Sequence, residues 1–273
     1  MRYQSPCFLF ALALLLPGVA APSRADELAE KGRDIFKKHQ HAVVTVQVVL
    51  KVSGAGRSSE NRQDLTGTVV DPSGLTVLAL SACDPSEMYQ RMMSEEASKY
   101  KLDIEVTDIK ILLDDGTEIP SEIVLRDKDL DLAFIRPKTK PSSPMAAVDL
   151  SKSGSAQLLD QVVTLNRLNS AAGRAYAASV ERITAVLQKP RTFYIPDSTM
   201  TATTLGSPAF ALDGNVIGVF VMRAIGAQGG GVRNYRDTMT TIILPAEDIL
   251  KAAKQAPEAK GGEEKKEAPK DAK

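Results

Sequence analysis

The stretch Leu65–Ala82 reads LTGTVVDPSGLTVLALSA. Two runs rich in Val, Thr and Leu flank Asp71-Pro72-Ser73-Gly74. Such runs predict strands, and a proline-glycine turn between them predicts an antiparallel pair. The pattern recurs in both directions along the chain. Ala42–Val52 (AVVTVQVVLKV) is a β-branched run, Ile109–Asp127 repeats strand-turn-strand around Asp115-Gly116, and Leu130–Pro137 (LDLAFIRP) is a short apolar strand closed by proline. A second series follows: QVVTLNR at 161–167, AYAASVERITAVLQ at 175–188, TFYIP at 192–196, SPAFALDGNVIGVFVMR at 207–223 and TTIILP at 240–245. Many short strands separated by turn signals predict an all-β barrel or sandwich.

Helical spacing occurs at the margins. Leu28, Ile35 and Phe36 share one face of a predicted helix over 26–40, and AEDILKAAKQ (246–255) predicts a short C-terminal helix. SEMYQRMMSEEASKY (86–100) is helix-prone and interrupts the first strand series, so an insertion is expected over about 85–100. Its Met88, Met92 and Met93 either pack it onto the barrel, the favoured reading, or offer an adaptable apolar surface. The Pro- and Lys-rich stretch between the two series reads as an interdomain linker over 138–154. The division expected is thus 41–137 for the first β-unit, 155–254 for the second with its helix, and a charged tail over 255–273. That tail lacks large apolar residues and is expected to be disordered. The Gly run in AIGAQGGGVRNYRD (224–237) joins two predicted strands rather than a strand and a helix. It therefore reads as a hairpin loop, not a phosphate cradle.

The N-terminus has Arg2, an apolar run from Cys7 to Leu16, then small residues including Ser23 and Ala25. This predicts a signal peptide over 1–25, cleavage before Asp26, and a periplasmic or secreted product. The apolar run is short for a bilayer span, so no stable membrane span is expected after cleavage. Formal net charge is zero, which argues against nucleic acid as a partner. Cleavage would leave Cys83 without a disulfide partner; it reads either as buried and inert or as a reactive thiol, with burial favoured. The two histidines, His39 and His41, read as a surface helix end, since imidazolium is favourable near a helix C-terminus. They lack further partners at metal-ligand spacing, so neither metal nor cofactor is expected.

Four blocks, in order, resemble the trypsin-like serine proteases, most closely the HtrA/Deg type: LTGTVVDPSGLTVLALSACD (65–84), ILLDDGTEIPSEIVLRDKDLDLAFIRP (111–137), LLDQVVTLN (158–166) and TLGSPAFALDGNVIGVFV (204–221). The resemblance covers about residues 40 to 252. It implies two six-stranded antiparallel β-barrels of the chymotrypsin type, with an active site between them. It also implies a triad of histidine, aspartate and serine. The aspartate position falls on Asp131 and matches. The histidine position falls on Ser81 and the nucleophile position on Leu205, and neither matches. The family's Gly-Asn/Asp-Ser-Gly-Gly-Pro aligns with Thr203-Thr204-Leu205-Gly206-Ser207-Pro208, so the oxyanion loop is altered at Thr203 as well, with Gly206 and Ser207 following.

Leucine cannot attack a carbonyl, and a serine hydroxyl is no general base near neutral pH. The expectation is therefore a catalytically inactive, exported domain that binds an extended peptide or a protein partner. Such a domain could also oligomerise with itself or with an active homologue. The alternative is an active serine endopeptidase with a rearranged site built on Ser207 or Ser81. HtrA relatives carry a PDZ domain after the protease; only about twenty residues follow the last predicted helix, so none is expected here. Without its histidine, Asp131 is expected to accept hydrogen bonds from backbone N–H groups or from Ser81.

Overall fold

The computed structural model describes residues 24–54, 56–86, 103–197, 204–224 and 239–259. The proposed insertion from Glu87 onward, the Gly-rich loop, Thr203 and most of the charged tail lie outside these residues, as does the proposed signal peptide up to residue 23. Helix α1 (Arg24–His39) leads into β1 (Val43–Gly54), β2 (Arg57–Val69), β3 (Thr76–Ala79), one helical turn α2 (Leu80–Cys83), β4 (Asp103–Leu112), β5 (Glu118–Asp127) and β6 (Leu132–Pro137). These strands close into a barrel in the order β1-β2-β3-β6-β5-β4. The second series is β7 (Gln161–Arg167), β8 (Tyr176–Leu187), β9 (Phe193–Pro196), β10 (Pro208–Ala211), β11 (Val216–Ala224) and β12 (Met239–Pro245), followed by helix α3 (Ala246–Ala253). It closes in the order β10-β11-β12-β9-β8-β7. Two six-stranded antiparallel barrels with flanking helices are the architecture that the family resemblance implies, and they decide for barrels where the strand pattern leaves barrel or sandwich open.

The apolar runs in β3 and β6 are continuous rather than alternating because both faces are buried. Leu78, Ala133 and Ile135 point into the first barrel, beside Val46, Val48 and Ile111. Their neighbours Val77, Ala79, Leu132 and Phe134 face outward into a core shared with Val163, Leu165, Phe210, Val219 and Leu244 of the second barrel. Ile183, Ile217, Phe220 and Ile243 fill the second barrel. Helices α1 and α3 cover the shared core with Ile35, Ile249 and Ala252. The core shared by the barrels thus carries the aliphatic and Phe side chains that a Trp-free sequence supplies.

The segment read as a linker is laid against the first barrel. The Met145 N–H donates to the Pro72 carbonyl at 2.9 Å and Val148 N–H to Val69 at 2.8 Å, while Val148 and Leu150 are buried. Past α3, Arg136 of β6 donates from Nε to the Pro257 carbonyl at 2.9 Å, which ties the end of the second unit back to the first.

Cys83 sits at the end of α2 and is fully buried, and its dehydrated surroundings push the thiol well above its usual range. A thiolate is the reactive form, so Cys83 is expected to resist a maleimide in the folded chain and to react once denatured. Fast modification of Cys83 in native buffer, read by mass spectrometry, would contradict this.

Candidate active site

Asp131 stands at the entrance to β6 with φ 56°, in the left-handed region that a short polar side chain tolerates. That conformation turns its carbonyl to the Leu80 N–H at 2.9 Å and its carboxylate toward α2. There Oδ1 accepts the Ser81 N–H at 2.7 Å, and Oδ2 accepts the Ser81 hydroxyl at 2.9 Å. Oδ2 also accepts the Met222 N–H of β11, in the second barrel, at 2.7 Å. The carboxylate therefore joins α2, β6 and β11. Both arrangements expected for an aspartate without its histidine occur together. Burial pushes the carboxyl up to about 6, against three hydrogen bonds that favour its charged form.

The loop that should carry a nucleophile is packed inward. Leu205 and Thr204 are buried, and Ser207 is fully buried. Gly206 has φ 87°, and its carbonyl accepts the Thr68 hydroxyl of β2 at 2.7 Å, while its N–H reaches the Phe220 carbonyl at 2.8 Å. The Ser207 carbonyl accepts the Phe220 N–H at 2.9 Å. A β-carbon on Gly206 would lie 2.1 Å from the Thr66 carbonyl oxygen. The loop is thus seated directly on the first barrel.

Neither histidine is among the hydrogen-bond partners of the Asp131 carboxylate, which are Ser81 and Met222. The surface reading of His39 needs correction: its ring is half-buried and stacks on Phe210 with centroids 4.5 Å apart. Burial, then the charges of Lys38 and Lys152, lower it to about 4, so desolvation outweighs the helix C-terminus. His41 instead faces Tyr176, with Nδ1 at 3.2 Å from the hydroxyl, and Asp114 at 3.6 Å.

These last contacts belong to a second polar cluster that no local motif announced. Arg167 is buried, donates to Asp114 at 2.8 Å, and lies over the Tyr176 ring at 3.8 Å. Tyr176 also donates its hydroxyl to Asp114. Burial would raise Asp114, but the bonds from Tyr176 and Arg167 hold it below the usual carboxylate range. Burial and that same bond raise Tyr176 to about 12. The cluster edges a cavity of about 640 Å³ with largely apolar walls, including Val43, Leu113, Pro144 and Met145. Ser81, Asp131 and Leu205 do not line it. Its members come from sequence positions 41 to 176, which is why spacing gave no signal. Among the described residues no group of His, Cys, Asp and Glu could hold a metal ion.

Three comparisons bear on this geometry. The family model described as trypsin-like peptidase domain matches residues 38–219, a span that includes Ser81, Asp131, Leu205 and Ser207. A protein of Arabidopsis thaliana described as "Putative protease Do-like 14" is 27% identical over 141 residues, covering 50% of this chain and 32% of that protein. The match thus spans about a third of the relative's length. Among solved structures, the MamO protease domain from Magnetospirillum magneticum, in its apo form, superposes with a TM-score of 0.50 at 15% identity. It covers 79% of this chain and 97% of that one, and at this identity the likeness concerns the fold.

Proposed function

Because the chain belongs to the trypsin-like peptidase domain family, we propose that it is a proteolytically inactive member, exported, whose role is to bind an extended segment of a protein partner. One observation carries this reading. The Ser81 hydroxyl, 2.9 Å from Oδ2, occupies the hydrogen-bonding position on Asp131 that an imidazole would need. A hydroxyl there has no means of taking a proton from a nucleophile near neutral pH. The facing loop offers buried Leu205 in the aligned nucleophile position. Loss of the serine or the histidine alone typically costs about a millionfold in turnover. Full burial of Ser207 speaks against a relocated nucleophile there. Export rests on the signal-like N-terminus, and the partner class rests on the habit of β-folds of taking extended segments by strand addition.

The test is a fluorophosphonate probe together with an unstructured protein substrate. No labelling and no cleavage by a chain that is folded by circular dichroism are expected. Labelling that disappears in Ser81→Ala or Ser207→Ala would overturn the reading.

A further inference from the structure

The hairpin β1–β2 reaches well beyond the first barrel. β1 is paired on both sides along this extension, with β2 as far as Gly54↔Arg57 and with β4 as far as Ser53↔Asp103. From Arg57 to Gly67, β2 is paired on one side only among the described residues. Its partner on the other side, β3, meets it just at Thr68 and Val69. Among the described residues no strand lies along the outer edge of β2 from Arg57 to Gly67. Residues Arg57–Arg62 are all exposed. An edge of this kind is a ready template for another strand.

The hydrogen-bonding phase of that edge can be worked out. Gly54 and Arg57 close a two-residue hairpin connection, so they form a pair that exchanges bonds within the hairpin. Alternation then turns the N–H and C=O of Ser58, Glu60 and Arg62 outward. Thr68 lies in the same phase, and it is where β2 meets β3.

Charge selects what can pair with this edge. Across the extension, Glu105 of β4 faces Lys51 of β1, and Lys51 faces Glu60 of β2. Opposed residues share one face, so this row alternates negative, positive, negative, and calls for a positive residue next. We propose that two copies of this chain pair antiparallel along the β2 edge, with Glu60 of each copy opposite Arg62 of the other. In an antiparallel pair related by a two-fold axis, the axis passes through one residue. The hydrogen-bonding phase permits an axis at any residue of the edge, and the charges discriminate among Ser59, Glu60, Asn61, Arg62 and Gln63. An axis at Gln63 sets Arg62 against Asp64, whose carboxylate is already held by Arg174 at 2.8 Å. An axis at Glu60 or at Arg62 sets like charges directly opposite, which is destabilising. An axis at Ser59 sets Glu60 against Ser58 and forms no ion pair. The axis at Asn61 forms Glu60–Arg62 twice and continues the alternating row in both copies. The result is a six-stranded sheet, β4-β1-β2 joined to β2-β1-β4 of the second copy, with an isologous interface. Charged residues on an edge ordinarily discourage random pairing. Here their order admits one register with the chain's own copy.

Sedimentation equilibrium on the full chain tests this, with circular dichroism to confirm folding. The wild type is expected to dimerise. Glu60→Arg alone and Arg62→Glu alone each turn both ion pairs into repulsions and are expected to weaken association on the order of tenfold or more. An equimolar mixture of these two variants recreates both opposite-charge pairs, so a heterodimer at near wild-type affinity is expected. The double variant Glu60→Arg/Arg62→Glu is self-complementary and regains the homodimer. A monomeric wild type, a dimer indifferent to both single reversals, or single variants that fail to rescue each other when mixed would overturn the proposal.

Discussion

Gly206→Ala is expected to destabilise the fold by about 4 kcal/mol, enough to push much of the expressed chain into aggregates. Two costs combine. A non-glycine residue at φ 87° carries a penalty of roughly 1–2 kcal/mol. The new methyl would also lie 2.1 Å from the Thr66 carbonyl oxygen, which is rigid barrel backbone. Relief requires the loop to lift from β2, and lifting breaks the 2.7 Å bond from Thr68 to the Gly206 carbonyl. Gly116 provides the control. It has φ 85°, but a methyl placed there would meet nothing within 4 Å, so Gly116→Ala should show the dihedral penalty alone. Chemical denaturation of both variants reads the difference. Equal midpoints for the two would mean that the loop is not seated on the first barrel as described.

The second large effect concerns pH. The Asp131 carboxyl is raised from 3.8 to about 6, chiefly by burial. The folded state therefore holds this proton more tightly than the unfolded chain does. Its contribution to stability is fully present below pH 3.8 and is lost as pH rises through about 6. A shift of this size corresponds to roughly 3 kcal/mol between those limits. Asp131→Asn cannot titrate, so the difference in unfolding free energy between wild type and variant isolates the group. The wild type is expected to lose about 2 kcal/mol relative to the variant from pH 4 to pH 7. Parallel profiles would mean that the three hydrogen bonds on the carboxylate fully offset its desolvation.

The two predictions share a cause. A hydroxyl from β2 holds the nucleophile loop, and the carboxylate beside β6 holds β11. Both contacts fasten one barrel to the other. Two further ties act at the same junction: Arg174 to Asp64 at 2.8 Å and Arg167 to Asp114 at 2.8 Å.

The two strand series, and the positions Ser81, Asp131 and Leu205 that align with the family's triad, are legible in the order of residues. Strands declare themselves through local signals, such as the Val and Thr runs around Asp71-Pro72-Ser73-Gly74. That pattern leaves barrel and sandwich open, and the choice of two barrels comes from the family resemblance. Ser81 and Leu205 are likewise plain in one dimension, because alignment along a motif needs no distances. What the remaining residues do emerges only in the folded chain. Met222 meets Asp131 across 91 positions and Thr68 meets Gly206 across 138. No periodicity encodes contacts at such separations. His39 shows the same limit: helix position favoured a charged surface imidazole, and packing on Phe210 made it a half-buried neutral one. Burial sets the cost of charge, and burial belongs to the assembled pair of barrels rather than to any segment of the chain.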